Sequence, residues 1–204
     1  MKPFSKVHIQ YNFELDSLLK IGAGYGENSF IDNKMRGRYH MTKGYIFDVP
    51  GTSVKGRIRA NFEKIESIVS IDSNSIFGQE HIEGWAHFSA LTSKKPMQVG
   101  ISTSTAIDRY RKSAKQKSLR VEEFVQAAYN DELIGTIDGY IANDIEGQKQ
   151  LYALLLALLR TDCFGGDKSI GYGKGTLRIQ KLMIDEQKID LTNIKEKIIE
   201  KLVI

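Results

Sequence analysis

Five glycines fall within the twelve residues GGDKSIGYGKGT, Gly165 to Thr176, with Lys168, Ser169 and Lys174 among them. Glycine admits positive backbone dihedrals and close approach of a second backbone, and successive amides in such a turn form a concavity that binds anions. Beside two lysines, a phosphate chain is a suitable guest, and Gly165, Gly166, Lys168, Ser169 and Lys174 are the candidate contacts. A glycine-rich turn that only ends a helix and starts a strand has the same composition. A second stretch, PGTSVKGRIR from Pro50 to Arg59, offers the chemistry in another form. Thr52 and Ser53 stand where a helix begins, so unbonded amides and the positive dipole end face outward. Lys55 and Arg59 follow one turn apart on a shared face; an ordinary capped helix with surface cations is the competing explanation.

A third stretch is charged rather than glycine-rich. Residues 109–120, RYRKSAKQKSLR, hold Arg109, Arg111, Lys112, Lys115, Lys117 and Arg120 and no acid, in a chain whose net charge is only +4. A run of that kind fits either a polyanion partner or a solvated loop. Two nucleotide patterns are excluded. In GAGYGE the third glycine of a dinucleotide fingerprint would fall on Glu27, and in GYGKGT Gly175 stands where a P-loop needs Ser or Thr. His81 and His87, with Glu80 and Glu83, match no standard zinc spacing, and nothing in sequence pairs His8 or His40 with a nucleophile.

The elements that must position these residues can be read from periodicity. Val7, Ile9, Tyr11, Phe13 and Leu15 alternate with polar neighbours and predict a half-buried strand over residues 6–15. Residues 22–47 show no sustained period and read as a long loop with short strands. Val54, Ile58, Phe62, Ile65 and Val69 lie on one helical stripe and predict a helix from Pro50 to Val69. Strands are predicted at about 84–91, 98–107, 119–127 and 132–141, the second and third flanking the basic run so that it becomes the tip of a long hairpin. Leu151, Leu154, Leu155, Leu158 and Leu159 set a helix over 144–162, followed by a strand at 176–184 and a helix over 191–203. This order suits an α+β fold, a ferredoxin-like antiparallel sheet with helices on one face.

At 204 residues, 41% of them hydrophobic and 26% charged, the chain has the composition of a globular protein and the size of one elaborated domain. The single cysteine, Cys163, can neither staple a fold nor build a zinc site alone and reads as core. No apolar run is long enough to cross a bilayer, and MKPFSKVHIQYNFEL lacks the sections of a signal peptide, which predicts a cytoplasmic protein.

Four stretches in order, VPGTSVKGRIR, SIFGQEHIEGWAHFS, QVGISTSTAIDRYRKSA with SLRVEEFVQ, and GGDKSIGYGKG, resemble the RAMP superfamily of CRISPR-associated proteins. They are most similar to the repeated backbone subunit of type III effector complexes, over about Ile21 to Ile179. The resemblance implies a modified RRM-like (ferredoxin-like) single domain over 1–204, with an inserted loop at 22–47 and a thumb hairpin at about 98–127. It implies a cytoplasmic antiviral complex in which copies of the chain and other subunits polymerise along a guide RNA and pair it with target RNA. Thr52, Ser53, Lys55, Arg59, Lys168 and Ser169 would then surround guide phosphates, and the hairpin from Ile107 to Arg120 would enter the guide–target duplex. The resemblance also implies that Asp32, in FIDNKMRGRYH, is catalytic and a ligand of a divalent metal such as Mg2+, with Arg36, Arg38 or His40 near phosphate charge. The family's Asp-Pro pair is absent here, Lys34 to Tyr45 forming a longer basic stretch, and Asp48 is the other carboxylate of the region. A non-catalytic structural subunit, a guide-processing endoribonuclease and a generic single-stranded RNA module are the alternatives.

Overall fold

The computed structural model describes residues 3–23, 30–42, 44–126 and 132–202, with the backbone course alone at 38, 40, 44 and 45. The predicted first strand forms as β1 (Phe4–Leu15). Its odd-numbered residues from Val7 to Leu15 are buried, as the alternation requires. The stretch read as a long loop contains a hairpin, β2 (Gly37–His40) and β3 (Gly44–Val49). Three helices follow, α1 (Gly51–Phe62), α2 (Glu66–Val69) and α3 (Ser73–Phe77). Then come β4 (His87–Phe88), β5 (Leu91–Ser93), β6 (Gln98–Ser104), β7 (Ile107–Asp108), β8 (Ser113–Ala114), β9 (Arg120–Gln126) and β10 (Glu132–Ala142). The chain continues through α4 (Ile145–Leu159), a short 3-10 turn (Lys168–Ile170), β11 (Gly175–Ile184), β12 (Gln187–Lys188) and α5 (Ile194–Leu202).

The main sheet runs β12-β11-β1-β10-β5-β3-β2, antiparallel throughout, with β4 also paired to β10. β1 is central, bonded to β10 on one edge and β11 on the other along most of its length. The result is an α+β fold whose strand order is compatible with a ferredoxin-like, RRM-type arrangement. Val7, Ile9, Tyr11 and Phe13 share the buried face with Leu133, Ile137 and Ile141 of β10. Their neighbours Lys6, His8 and Gln10 point the other way, giving the apolar-in, polar-out pattern of a sheet solvated on one side. α4 packs Leu151, Leu154, Leu155 and Leu158, all fully buried, into that core. Each contributes about 1.5–3 kcal/mol by its burial. Asp144 caps the helix by accepting from the Gly147 amide at 2.8 Å. Among the described residues no helix is long and apolar enough to cross a membrane.

Three departures from the sequence reading have local causes. The predicted helix over Pro50 to Val69 is broken after Phe62, where Ile65 N–H bonds Phe62 O at 2.8 Å and tightens the turn, yet the stripe stays buried through Ile65 and Val69. Gly78 and Gly84 pack against each other's backbone, so the predicted strand at 84–91 shrinks to β4 and β5. The hairpin forms, with β6 and β9 in register from Gln98↔Gln126 to Ser104↔Arg120 and β7–β8 beyond them. It does not join the main sheet.

Candidate nucleic-acid interface

α1 starts without a side-chain cap, because its N-cap residue is Pro50. The first helical bond runs from Val54 N–H to Pro50 O at 3.0 Å, and the amides of Gly51, Thr52 and Ser53 have no acceptor among the described residues. A Cβ on Gly51 would lie 2.5 Å from Phe88 O, so glycine is what lets the helix start this close to the sheet. Thr52 and Ser53 are exposed and Lys55 half-buried, none with a side-chain partner among the described residues. Three free donors at a positive dipole end, with a cation one turn along, make a site for an anion.

Arg59 differs from Lys55. Its guanidinium donates to Glu63 Oε1 at 3.0 Å, Gly78 O at 2.9 Å and Asn74 Oδ1 at 2.9 Å, so it clamps α1 to α3. Arg57 is tied too, to Asp162 Oδ1 at 2.9 Å and Cys163 O at 3.1 Å. That pair docks α1 beside the start of the glycine segment. Burial, followed by the Asp162 hydrogen bond, holds the Cys163 thiol above its ordinary pKa, so the thiol is a core group rather than a nucleophile.

The glycine segment uses its amides in another way. Gly166 N–H donates to Lys20 O at 2.8 Å, Gly173 to Leu18 O at 2.6 Å, Lys174 to Ser17 Oγ at 2.8 Å and Gly175 to Asp162 O at 2.9 Å. Gly171 and Tyr172 donate to Lys168 O and Asp167 O within the same turn. Gly165 and Gly173 have positive φ, and a Cβ on either would overlap a carbonyl oxygen, Lys20 O or Phe164 O. The glycines therefore let the segment lie against the chain leaving β1, and of the residues expected to cradle an anion Gly166 and Lys174 have their amides committed to acceptors within the protein. Lys168, Ser169 and Lys174 are exposed and remain available through their side chains.

Lys20 holds these pieces together, and the sequence reading passed over it. Its side chain is only 10% exposed, with Nζ 2.5 Å from Glu122 of β9 and 2.6 Å from Asp167 of the glycine segment. Burial alone would lower its pKa, but the hydrogen bonds and charges of Asp167 and Glu122 outweigh that and raise it. The signal in the sequence was one cation inside Leu18-Leu19-Lys20-Ile21. Lys20, Ser102, Arg120, Glu123, Asp167 and Tyr172 line a groove of about 230 Å³ between the root of the hairpin and the glycine segment.

Asp32 lies at the same root. Its Oδ2 accepts from Val121 N–H at 2.7 Å while its own N–H donates to Val121 O at 2.8 Å, so it splices the loop to the edge of β9. The residue is exposed. Asp48, the other carboxylate of the region, pairs instead with Arg36 at 3.5 Å. Arg38 is on β2 with His40, and GAGYGE falls mostly outside the described residues. Among the described residues no group of three or more His, Cys, Asp or Glu could hold a metal. A hydrated Mg2+ commonly needs only one or two carboxylates when substrate phosphates complete its shell.

At the hairpin tip, Arg109, Arg111, Lys112, Lys115 and Lys117 are all exposed and have no acidic partner among the described residues. Asp108, the nearest acid, points back into the turn and accepts from the Tyr110 and Arg111 amides. Tyr110 is 99% exposed. A ribbon of two strands carrying unpaired cations outward has no internal use for them, whereas a polyanion does.

No curated protein matches the chain. The family model of the RAMP superfamily matches residues 12–176, which takes in the end of β1, then α1, the hairpin, α4 and the glycine segment. That family is one of CRISPR-associated, RNA-binding proteins, in keeping with the bare helix start and the cationic hairpin, and this chain belongs to the RAMP superfamily.

Proposed function

We propose that the chain is a guide-RNA-binding backbone subunit of a type III CRISPR effector complex in antiviral defence, and that it cleaves target RNA paired to the guide. The observation that carries this reading is the hairpin tip, five exposed cations without an acidic partner among the described residues, on a ribbon that stands apart from the main sheet. In this role the hairpin is the thumb that enters the guide–target duplex. The start of α1 and the side chains of Lys55, Lys168, Ser169 and Lys174 hold guide phosphates whatever the bases, while base pairing supplies the specificity. Arg59 supports this surface through the clamp to α3.

For cleavage, Asp32 is the residue at the root of the thumb with a carboxylate oxygen to offer. Its second oxygen, with phosphates and water, would hold a divalent ion, which supplies charge stabilisation at the scissile phosphate when bound. Asp32 itself orients the 2′-hydroxyl of the target, whose oxygen bonds the adjacent phosphorus as the P–O5′ bond breaks, leaving a 2′,3′-cyclic phosphate and a 5′-hydroxyl that takes up a proton by way of water, and Val121 N–H fixes the carboxylate in place.

A second reading follows from that same bond: Asp32 already has a structural partner, so the chain can be a structural subunit without cutting. Asp32→Asn separates the two, because the amide oxygen keeps the Val121 contact and only the charge is removed. In the complex purified from its host, Asp32→Asn is expected to hold guide and target RNA as the parent does and to cut target at least about a hundredfold more slowly. Cutting at the parent's positions and rate would leave the structural reading standing.

A further inference from the structure

The open face of the sheet carries a feature that the hairpin and helix start do not account for. Phe4 of β1 is 57% exposed and Tyr140 of β10 is 61% exposed. The register pairs Phe4 with Ala142 and Lys6 with Tyr140, so the two aromatic rings are diagonal neighbours on adjacent central strands and on one face. Diagonal neighbours of this kind lie about 7–8 Å apart, within reach of each other's rings. His8 sits next along the face, its Nδ1 2.7 Å from Asp138 Oδ1, which turns the other ring nitrogen outward. Aromatic rings standing on a sheet are costly to leave in water and have a flat surface to offer.

The charges around them select the occupant. Lys6 is beside both rings, and the register places Lys181 opposite Gln10 and Lys188 opposite Met183, itself opposite His8. All three lysines therefore share this face, and none has an acidic partner among the described residues. Two nearby acids are already engaged, Asp138 by His8 and Asp185 through Lys6 N–H at 2.9 Å. Flat apolar rings flanked by unpaired cations and one imidazole match unpaired bases strung on a phosphate backbone. We infer that the open face of β1, β10 and β11 is a second RNA site, which stacks unpaired bases on Phe4 and Tyr140 and holds their phosphates with Lys6, Lys181 and Lys188. It is separate from the hairpin and α1, and takes single strands rather than a duplex, because a paired base has no free face for these rings.

The test uses the full chain carrying K112A/K115A/K117A, so that the hairpin tip no longer contributes, and a short fluorescein-labelled oligoadenylate. Adding F4A/Y140A, both at exposed positions, is expected to weaken the remaining binding by about tenfold or more, the scale of one lost base stack. Tyr140→Trp keeps a ring and is expected to retain the affinity and to show quenching of its indole fluorescence as RNA is added. Binding unchanged by F4A/Y140A overturns the inference, as does indole fluorescence in Tyr140→Trp that ignores saturating RNA. So does a fall in self-association of the RNA-free protein on F4A/Y140A with no change in RNA affinity, since a second copy then covers the face. None of these outcomes bears on the hairpin, whose own loss of binding is read from K112A/K115A/K117A alone.

Discussion

The start of α1 and the glycine segment are both glycines beside lysines, and they keep their backbone amides for different ends. At α1 the donors of Gly51, Thr52 and Ser53 have no acceptor among the described residues, because Pro50 caps the helix with no side-chain oxygen. In the glycine segment, Gly166, Gly173, Lys174 and Gly175 donate to residues that belong to the chain leaving β1 or α4. The first arrangement leaves donors bare; the second builds a wall of backbone against the chain leaving β1. Close approach of backbone is the purpose common to both sets of glycines, and only the partner differs: a sheet carbonyl for Gly51, the carbonyls of Lys20 and Phe164 for Gly165 and Gly173. Glycine beside a cation therefore marks a place where chains come close, and the fate of the amides decides whether a ligand is the second chain.

The sharpest way to break that contrast is at Gly173. A Cβ there would overlap Phe164 O, with φ at +69°, so Gly173→Ala is expected to cost at least about 3 kcal/mol of folding stability, read from its urea midpoint. A small loss would mean that the wall yields and its amides are not committed.

Lys20→Met is next in size. It leaves Glu122 and Asp167 facing each other without the cation, and with those acids partly exposed the expected loss is about 2 kcal/mol. The pH dependence sharpens it. A lysine whose folded pKa is raised stabilises the fold fully below its unfolded value of about 10.4 and loses that contribution as pH rises through the folded value. The difference between parent and Lys20→Met should thus be constant from neutral pH to about 10 and shrink above it. A difference that shrinks between about pH 6 and 8 would show that another group sets it.

Thr52→Pro tests the helix start, where proline is tolerated because the amide it removes is unbonded and Gly51 precedes it. Stability should stay within about 0.5 kcal/mol while RNA affinity drops by roughly tenfold, the scale of one charge-assisted bond. Equal affinity would mean that the amides of α1 face no phosphate. The smallest effect is a slope. In K112A/K115A/K117A, log K against log salt should flatten by roughly 0.7 for each phosphate that the lysines no longer neutralise. An unchanged slope would take the hairpin tip off the backbone.

Much of the fold was legible because it follows from period. β1 and α4 announce themselves by alternation of two and by leucines three and four apart, and both form within a few residues of the expected bounds. The hairpin was legible as two strands around a basic run. The short helices α2 and α3 and the shortening of the strand at 84–91 were not, because there a tightened turn at Ile65 and the Gly78–Gly84 contact override local preference. Of the candidate site, Thr52, Ser53, Lys55 and the hairpin cations were recognisable as types in a pattern, and the structure leaves them exposed or half-exposed and unpaired among the described residues. Arg59 was recognisable as a cation, and its use as a clamp was not, since Asn74 and Gly78 come to it from another helix and its cap.

Local order and composition thus determined on their own that this chain has a sheet, its helices, a cationic hairpin and glycines where backbones meet, since these depend on side-chain period and backbone freedom within a few residues. The tertiary structure alone decided which amides of the glycine segment are tied to the chain leaving β1, that Arg57 and Arg59 are tied, that Lys20 joins Glu122 to Asp167, and that Phe4 stands beside Tyr140. Each of those depends on partners more than ten residues away, and the energy of a hydrogen bond or an ion pair is set by who arrives, not by who is near in the chain.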